Sequence, residues 1–432
     1  MLETSKKPRS PATWIPTLYF AQGLPFYAVA LVAGLMFKSM GVSNADIAYW
    51  TGLLGFAWVF KPLWSPFLEL APSKKIIVVG FQLAGGLSLG LVALALHTPA
   101  WFAASIAVLG LAAISSATHD IACDGLYIAS LSDKQQAAYA GWIGAFFNAG
   151  KFISLGGLVI LAGYLEKSIG VAPAWTIIFL ILGAMMLLLA AYHTWALPLA
   201  ANPVQARQSA GAIAATLWDV LREFFNKPGI WLAIVFIILF RAGEAQVQTI
   251  GPLFLREARA LGGLGLSTAE VGALYGTAGT VAFLLGSVAG GYFTSWLGLK
   301  RAILFLILAM NLPNLVFYYL SHALPSDITL IGAALSVEMF GYGFGFVGLI
   351  LFMMQVVAVG KYQTAHYAFA TGVMQLGFVI FKMLSGAVQT ALGYPNFFLW
   401  VLVSALPVLL MVRFMPIRAK DEGPATAQAA AA

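Results

Sequence analysis

The sequence predicts an all-α integral membrane protein of about twelve transmembrane helices in a 6+6 arrangement. Three observations carry that prediction. Hydrophobic residues make up 61% of the chain and charged residues only 9%, against about 45–50% and about 25% in soluble domains. The apolar residues fall into about twelve runs long enough to cross a bilayer. One long polar interruption divides those runs into two sets of six.

The same composition excludes other classes. A mean hydropathy of +0.89 leaves too few charges for the surface of a soluble enzyme. The single cysteine, Cys123, rules out an internal disulfide framework and a multi-cysteine metal site. The net charge of +7 is the sort that nucleic-acid binders carry. In a membrane chain it reflects lysine and arginine in cytoplasmic loops, so no nucleic-acid partner is expected. Residues 1–12 are polar and basic and read as a cytoplasmic segment. They run directly into an apolar stretch too long for a signal-peptide core, with no small-residue cleavage site after it, so the first helix is expected to stay.

Taken in order, the first six apolar segments lie at 13–37, 45–70, 76–97, 100–131, 137–164 and 173–197. They form an expected N-terminal bundle over 13–197. The second six lie at 230–256, 268–297, 301–321, 327–357, 362–391 and 396–416, an expected C-terminal bundle over 230–416. Between them, residues 198–229 form a polar linker. Its second part, WDVLREFFNK, puts Trp218, Leu221, Phe224 and Phe225 on one side and Asp219, Arg222 and Glu223 on the other. That pattern predicts a short amphipathic helix at the membrane surface. Residues 417–432 are charged and then alanine-rich, and read as a disordered cytoplasmic tail.

With the N-terminus inside, about fifteen Lys/Arg fall on the cytoplasmic side and about four outside, the positive-inside pattern. Lys74, Lys75, Lys134, Arg207, Lys227, Lys361 and Arg418 are among the first group; Lys38, Lys167, Arg256 and Arg259 make up the second. A miscount of one helix in the first half would reverse this bias, so it tests the count.

Several charged residues remain inside the apolar segments. Lys61 sits near a helix end, from which it can snorkel to the interface. Lys151, Arg241 and Lys382 are embedded, as are Asp120, Asp124, Glu244 and Glu338. A carboxylate in hydrocarbon costs about 2.5–3.5 kcal/mol even on lenient scales, so such groups face a bundle interior or a wet cavity and mark substrate or proton paths.

In the fourth segment, SSATHDIACDGLYIAS places Asp120 and Asp124 one turn apart on one face. In the fifth, Asn148 and Lys151 share a face. Lys151 is expected to neutralise one aspartate, leaving the other as a titratable carboxylate. The alternative is a static ion pair that fixes packing. His119 and Cys123 are one turn apart beside the aspartates. No second His/Cys cluster completes a metal shell, so His119 reads as a substrate or proton contact, or as a hydrogen bond to a neighbouring helix. Tyr127, Gln22 and Tyr27 complete the polar set expected in this half.

The seventh segment holds FRAGEAQVQTIGPLF, in which Arg241, Glu244 and Gln248 line one face. Arg241 is either paired within its helix or facing an anionic group of a substrate, with Glu244 holding its geometry or carrying a proton. Gly243, Gly251 and Pro252 make this helix easy to break, as in many transporter sites. The tenth segment aligns Glu338 with Tyr342, and Gly343, Gly345 and Gly348 spell G-x-G-x-x-G. No strand precedes that run, so it reads as close helix packing and not as a dinucleotide loop. Gly272 with Gly276, and Gly286 with Gly290, read the same way. In the eleventh segment Gln375 and Lys382 share a face.

These pieces together resemble the major facilitator superfamily and, more narrowly, the AmpG muropeptide permease family, whose relatives include siderophore and acetyl-CoA carriers. The resemblance runs from Trp14 to about Pro416. It is carried by FAQGLPFY, FAWVFKPLWSPFLEL, HDIACDGLYIASL, RAGEAQVQTIGPLFL and SVEMFGYGFGFVGLILFMMQ. It implies proton-driven import of anhydromuropeptides (GlcNAc-anhydroMurNAc) or a related amino sugar across a bacterial inner membrane, with both termini cytoplasmic. It maps functional positions onto Asp120, Asp124, Arg241, Glu244 and Glu338. The chain departs from the family pattern at Glu69, where aspartate is usual, and in the loop APSKK, which replaces an arginine-rich one. It departs again at His119, where glutamine is common, and at Arg241, where the muropeptide permease has lysine.

The expected partners are a small-molecule substrate, protons and the lipid bilayer, with the chain a monomer. No cofactor or metal is expected. No Walker motif is present, which argues against ATP drive within the chain. A second reading is an importer of siderophores or other anionic molecules. A membrane-embedded enzyme would need a nucleophile–base pair or a closed metal set, and the sequence offers neither. A non-transporting sensor would not need embedded charges.

Overall fold

The computed structural model describes residues 9–65, 68, 73–199, 210–360, 362–415 and 417. Residues 1–8, Glu69, 200–209 with Arg207, Lys361, and the tail from 418 lie outside the described residues, as does the Lys134 side chain.

Among the described residues ten helices are long and apolar enough to cross a membrane. The twelve expected segments are reached through two local breaks. The second segment is the helix pair Asn44–Leu54 and Phe56–Trp64, divided by a turn at Gly55. The tenth long helix, Ala365–Phe414, contains Gly393 at φ +71, a left-handed backbone that only glycine adopts cheaply, with Pro395 two residues on. The chain turns there, between the expected eleventh and twelfth segments.

The spans are labelled in chain order. The first six are α1 (Pro11–Ser39), α2 (Asn44–Leu54 and Phe56–Trp64), α3 (Lys74–Ala95), α4 (Trp101–Ser130), α5 (Trp142–Ile169) and α6 (Val171–Ala196). The linker helix is α7 (Ala210–Phe225). Beyond it come α8 (Ile230–Arg256), α9 (Thr268–Leu297), α10 (Leu299–Ala323), α11 (Ile328–Val357), and then α12 and α13 on either side of Gly393.

Local sequence starts and stops these helices. Ser43 accepts from the backbone of Asp46 before α2, Ser132 with Gln135 and Ser267 with Glu270 form capping boxes, and Asp327 caps α11. Gly170 and Gly298, both at positive φ, make the sharp links from α5 to α6 and from α9 to α10.

Contacts group the chain into two compact units. The first runs to Asp219 and includes Gly265–Thr277; the second comprises Val220–Leu264 and the residues from Ala278. The boundary expected across 198–229 therefore falls inside α7, and the first turns of α9 belong with the first unit.

Within the second unit α9 and α11 approach closely through glycines. A Cβ on Gly286 would lie 2.0 Å from the carbonyl oxygen of Phe340, and one on Gly343 2.0 Å from that of Phe283. The G-x-G-x-x-G run is thus a helix-packing seam.

The linker helix α7 docks on the second unit along one stripe. Trp218 is 67% exposed, whereas Phe224 is buried against His366 and Phe369. Val220 is buried too, and its carbonyl accepts from His366. Residues 220 and 224 are one helical turn apart and define the docking stripe, so Trp218 points elsewhere. Lys227 then ties the end of this element down by donating to the carbonyls of Val357 and Val359.

Candidate functional site

In the first unit the polar residues gather along α4. Asp120 is half-buried and Asp124 is accessible, although both lie in an apolar helix. The cation on Asp120 is Lys61 of α2. The sequence expects Lys151 on one of the two aspartates and lets Lys61 snorkel; in the structure it is Lys61 that pairs with Asp120. The reason is axial position. Gly23 of α1 and Gly150 of α5 touch backbone to backbone, since a Cβ on either would come within 3 Å of the other helix. This contact sets Lys151 beside Tyr27, its ammonium 5.9 Å from the ring centroid. Tyr27 is eight residues, or about 12 Å of helix rise, from Tyr19, and Tyr19 is the residue that reaches Asp124. Its hydroxyl donates to Asp124 Oδ1 at 3.2 Å.

Around Tyr27 is a second group. Its hydroxyl donates to Asn148 Oδ1 at 3.4 Å, and Asn148 in turn donates to the carbonyl of Gly144. Phe26 packs on Tyr27 and Trp58, and Phe147 packs on both Phe26 and Tyr27, with ring centroids 5.1–5.5 Å apart. Lys151 is buried and opens the π-helical turn Phe152–Gly157, and Tyr27 opens another, Ala28–Val32. Such turns are frequent at functional sites. Gln22 is buried in α1 between the two groups, and Tyr127 stands edge-on to Tyr19 at 6.0 Å.

His119 is elsewhere. It is 1% exposed and bonded to Gln82 of α3 and, within α4, to Cys123, so it is engaged in helix packing.

In the second unit α8 breaks at Arg241, where Ile230–Phe240 ends and Ala242–Arg256 begins. Arg241 is buried, with its Nε 3.1 Å from Glu244 Oε2, an ion pair made without hydrogen-bond alignment. Its guanidinium carbon lies 5.2 Å from the Phe346 ring centroid and 4.7 Å from that of Phe378, within cation–π reach of both. Lys382 is buried one turn beyond Phe378 on α12, and Gln375 on the same helix is half-buried. Glu338 is buried in α11. Tyr342 packs on Phe283 and Phe346, which links it to the Arg241 group through Phe346. Gln248 is buried and meets the sulfur of Met339. Three features of these sites escaped the sequence reading: Tyr19, the inward turn of Lys61, and Gln82. Gln82 is the only polar residue in VVGFQLAGG, and that isolation was its signal.

A family model described as Major Facilitator Superfamily matches residues 17–380. The chain belongs to the Major Facilitator Superfamily. Like other superfamily members it is a multi-pass membrane transporter of small molecules, not an enzyme. The anhydromuropeptide permease of Escherichia coli (strain K12) is 26% identical over 432 residues, which cover 95% of this chain and 80% of the permease. Among solved structures, the nucleoside transporter NupG (D323A mutant) superposes with a TM-score of 0.69 at 17% identity, over 93% of this chain and 98% of that one. A bacterial homolog of the human lysosomal transporter Spinster, inward-facing and occupied, gives 0.67 at 14% identity, over 95% and 96%. These two similarities concern the superfamily fold. The muropeptide resemblance rests on the permease.

Proposed function

We propose that this superfamily transporter is a proton-coupled importer of anhydromuropeptides, or of a related amino sugar, working as a monomer in a bacterial inner membrane with both termini in the cytoplasm. The observation that carries the proposal is the pairing along α4. Asp124 is accessible and accepts from the Tyr19 hydroxyl, while Asp120 one turn away is engaged by Lys61. Two carboxylates this close favour one proton between them. With Lys61 on Asp120, Asp124 is the group that takes it. A proton bound from the outside neutralises Asp124 and weakens its charge-assisted bond to Tyr19; its release to the inside restores that bond. The bundles 13–197 and 230–416 are the bodies whose equilibrium the proton biases.

The cargo reading rests on the permease relative, and the aromatic and amide groups around Tyr27 suit a sugar ring with amide substituents. Arg241 and Lys382 favour an anionic cargo, which includes the free lactyl carboxylate of the peptide-free anhydro-disaccharide, the peptide carboxylates of a muropeptide, and also a siderophore.

The test is uptake by purified protein in liposomes with an imposed pH gradient. Anhydro-disaccharide, free N-acetylglucosamine and a catechol siderophore are offered side by side. Gradient-dependent accumulation of the anhydro-disaccharide supports the proposal. Accumulation of the siderophore alone leaves the transporter and replaces the cargo.

A further inference from the structure

His119 belongs to a buried polar chain that crosses four helices of the first unit. Gln82 of α3 is at its centre. The Gln82 amide nitrogen is 2.9 Å from Nε2 of His119 on α4, and its amide oxygen is 2.9 Å from Nδ1 of His193 on α6. His193 Nε2 continues to Thr17 Oγ1 of α1 at 3.0 Å. Cys123 Sγ closes the other end at 3.3 Å from His119 Nε2. Gln82, His193 and Cys123 are fully buried and His119 is 1% exposed. An apolar sheath of Trp14, Leu18, Val78, Ala122 and Leu126 fills the same end of these helices. An amide offers one donor and one acceptor face, so one imidazole donates to Gln82 and the other accepts from it. Losing either contact leaves a polar group unpaired in apolar surroundings, which is costly.

We infer that the Thr17–His193–Gln82–His119 chain fixes the rotation of α4 about its axis and thereby holds Asp120 and Asp124 against Lys61 and Tyr19; Gln82 and His119 are positioning residues. His119 directly precedes Asp120, so it projects about 100° around the helix from the aspartate face. A rotation of about 20° moves a side-chain tip at a radius of about 6 Å by roughly 2 Å. That displacement breaks a hydrogen bond such as Tyr19–Asp124. The groups that bear on Asp124 are Tyr19 from α1, Lys61 from α2, and Asp120 and Cys123 on α4 itself. Lys74 of α3 packs against the adjacent Gly125. The inference rests on the proposed coupling role of Asp124 only for its consequence; its geometry stands apart from that role and from the cargo.

The experiment reads Asp124 directly. Infrared titration of the full-length protein in lipid, differenced against Asp124→Asn, gives the midpoint of the Asp124 carboxyl band without any substrate. His119→Leu and Gln82→Leu each remove a link of the chain, and His119→Gln keeps a group able to bond Gln82. The expected result is a midpoint displaced by a pH unit or more, a tenfold change in proton affinity, in both leucine variants, with His119→Gln close to the parent. An unchanged midpoint in folded His119→Leu overturns the inference. So does an equal displacement in His119→Gln, which would trace to the lost imidazole and not to the hydrogen bond. Failure of both leucine variants to fold also overturns it, because the chain would then hold the whole bundle. Failed uptake with an intact titration result would count against the proposed function and leave the positioning role standing.

Discussion

Tyr19 of α1 donates its hydroxyl to Asp124 of α4 across 105 residues of sequence, at 3.2 Å. The tyrosine is buried and the aspartate is accessible, so a neutral donor from the core holds an accessible carboxylate. Such a bond is strong while the carboxylate is ionised and weak once it is protonated, which is the property a coupling group needs.

Asp124→Asn is expected to leave folded protein in the membrane and to abolish accumulation of substrate against its gradient. Facilitated equilibration across the membrane would remain. Counterflow and gradient-driven uptake, measured on the same liposomes, separate the two. Normal accumulation would remove Asp124 from the mechanism.

Tyr19→Phe keeps the edge-on ring contact with Tyr127 and removes only the hydroxyl. A hydrogen bond to a charged group contributes about 1.5–3 kcal/mol. Turnover should fall about tenfold or more, and the melting temperature should fall with the lost bond. A Vmax and KM measurement together with a melting curve checks this.

Lys61 and Asp120 should behave as one energetic unit. Lys61→Ala and Asp120→Ala each leave a partner without its counter-charge, so the double variant should be less impaired than the two single losses added together, by at least about 0.5–1 kcal/mol. A double-mutant cycle on melting temperature in detergent measures the coupling. Additive losses would mean that the pair is incidental.

Arg241→Lys preserves charge and loses the planar guanidinium that lies over the Phe346 and Phe378 rings. Half-saturation for an anionic cargo should rise about tenfold, roughly 1.4 kcal/mol. Uptake of a neutral analogue should change much less. Equal effects on both would place Arg241 in packing alone.

Gly286→Val puts a side chain into the Phe340 carbonyl and should destabilise the second unit by about 1–3 kcal/mol or more. Gly291, five residues along the same helix, has open space where a Cβ would stand. Gly291→Ala should therefore be neutral or slightly stabilising, since alanine is the better helix former. Melting curves of the two variants test the seam between α9 and α11.

The span pattern was legible because a 20-residue apolar run has few other uses, and α9 was read to the residue at 268–297. Helical phase within one segment was legible too: Asp120 with Asp124, and Arg241 with Glu244, do share faces. What the sequence could not supply was the axial alignment between segments. Lys151 and Asp124 look adjacent when helices are drawn side by side, but the Gly23–Gly150 contact sets Lys151 at the level of Tyr27. The partner on Asp120 therefore came from α2. In the same way the docking of α7 through Val220 and Phe224 onto His366 and Phe369 depends on a partner surface that the segment's own sequence does not display.

The most direct test of the account is proton movement itself. Liposomes with a pH-sensitive dye trapped inside, and no imposed gradient, receive the anhydro-disaccharide from outside. The account predicts that the lumen acidifies as substrate enters, and that Asp124→Asn abolishes the acidification while substrate still equilibrates. Substrate entry without acidification in the parent protein would contradict it.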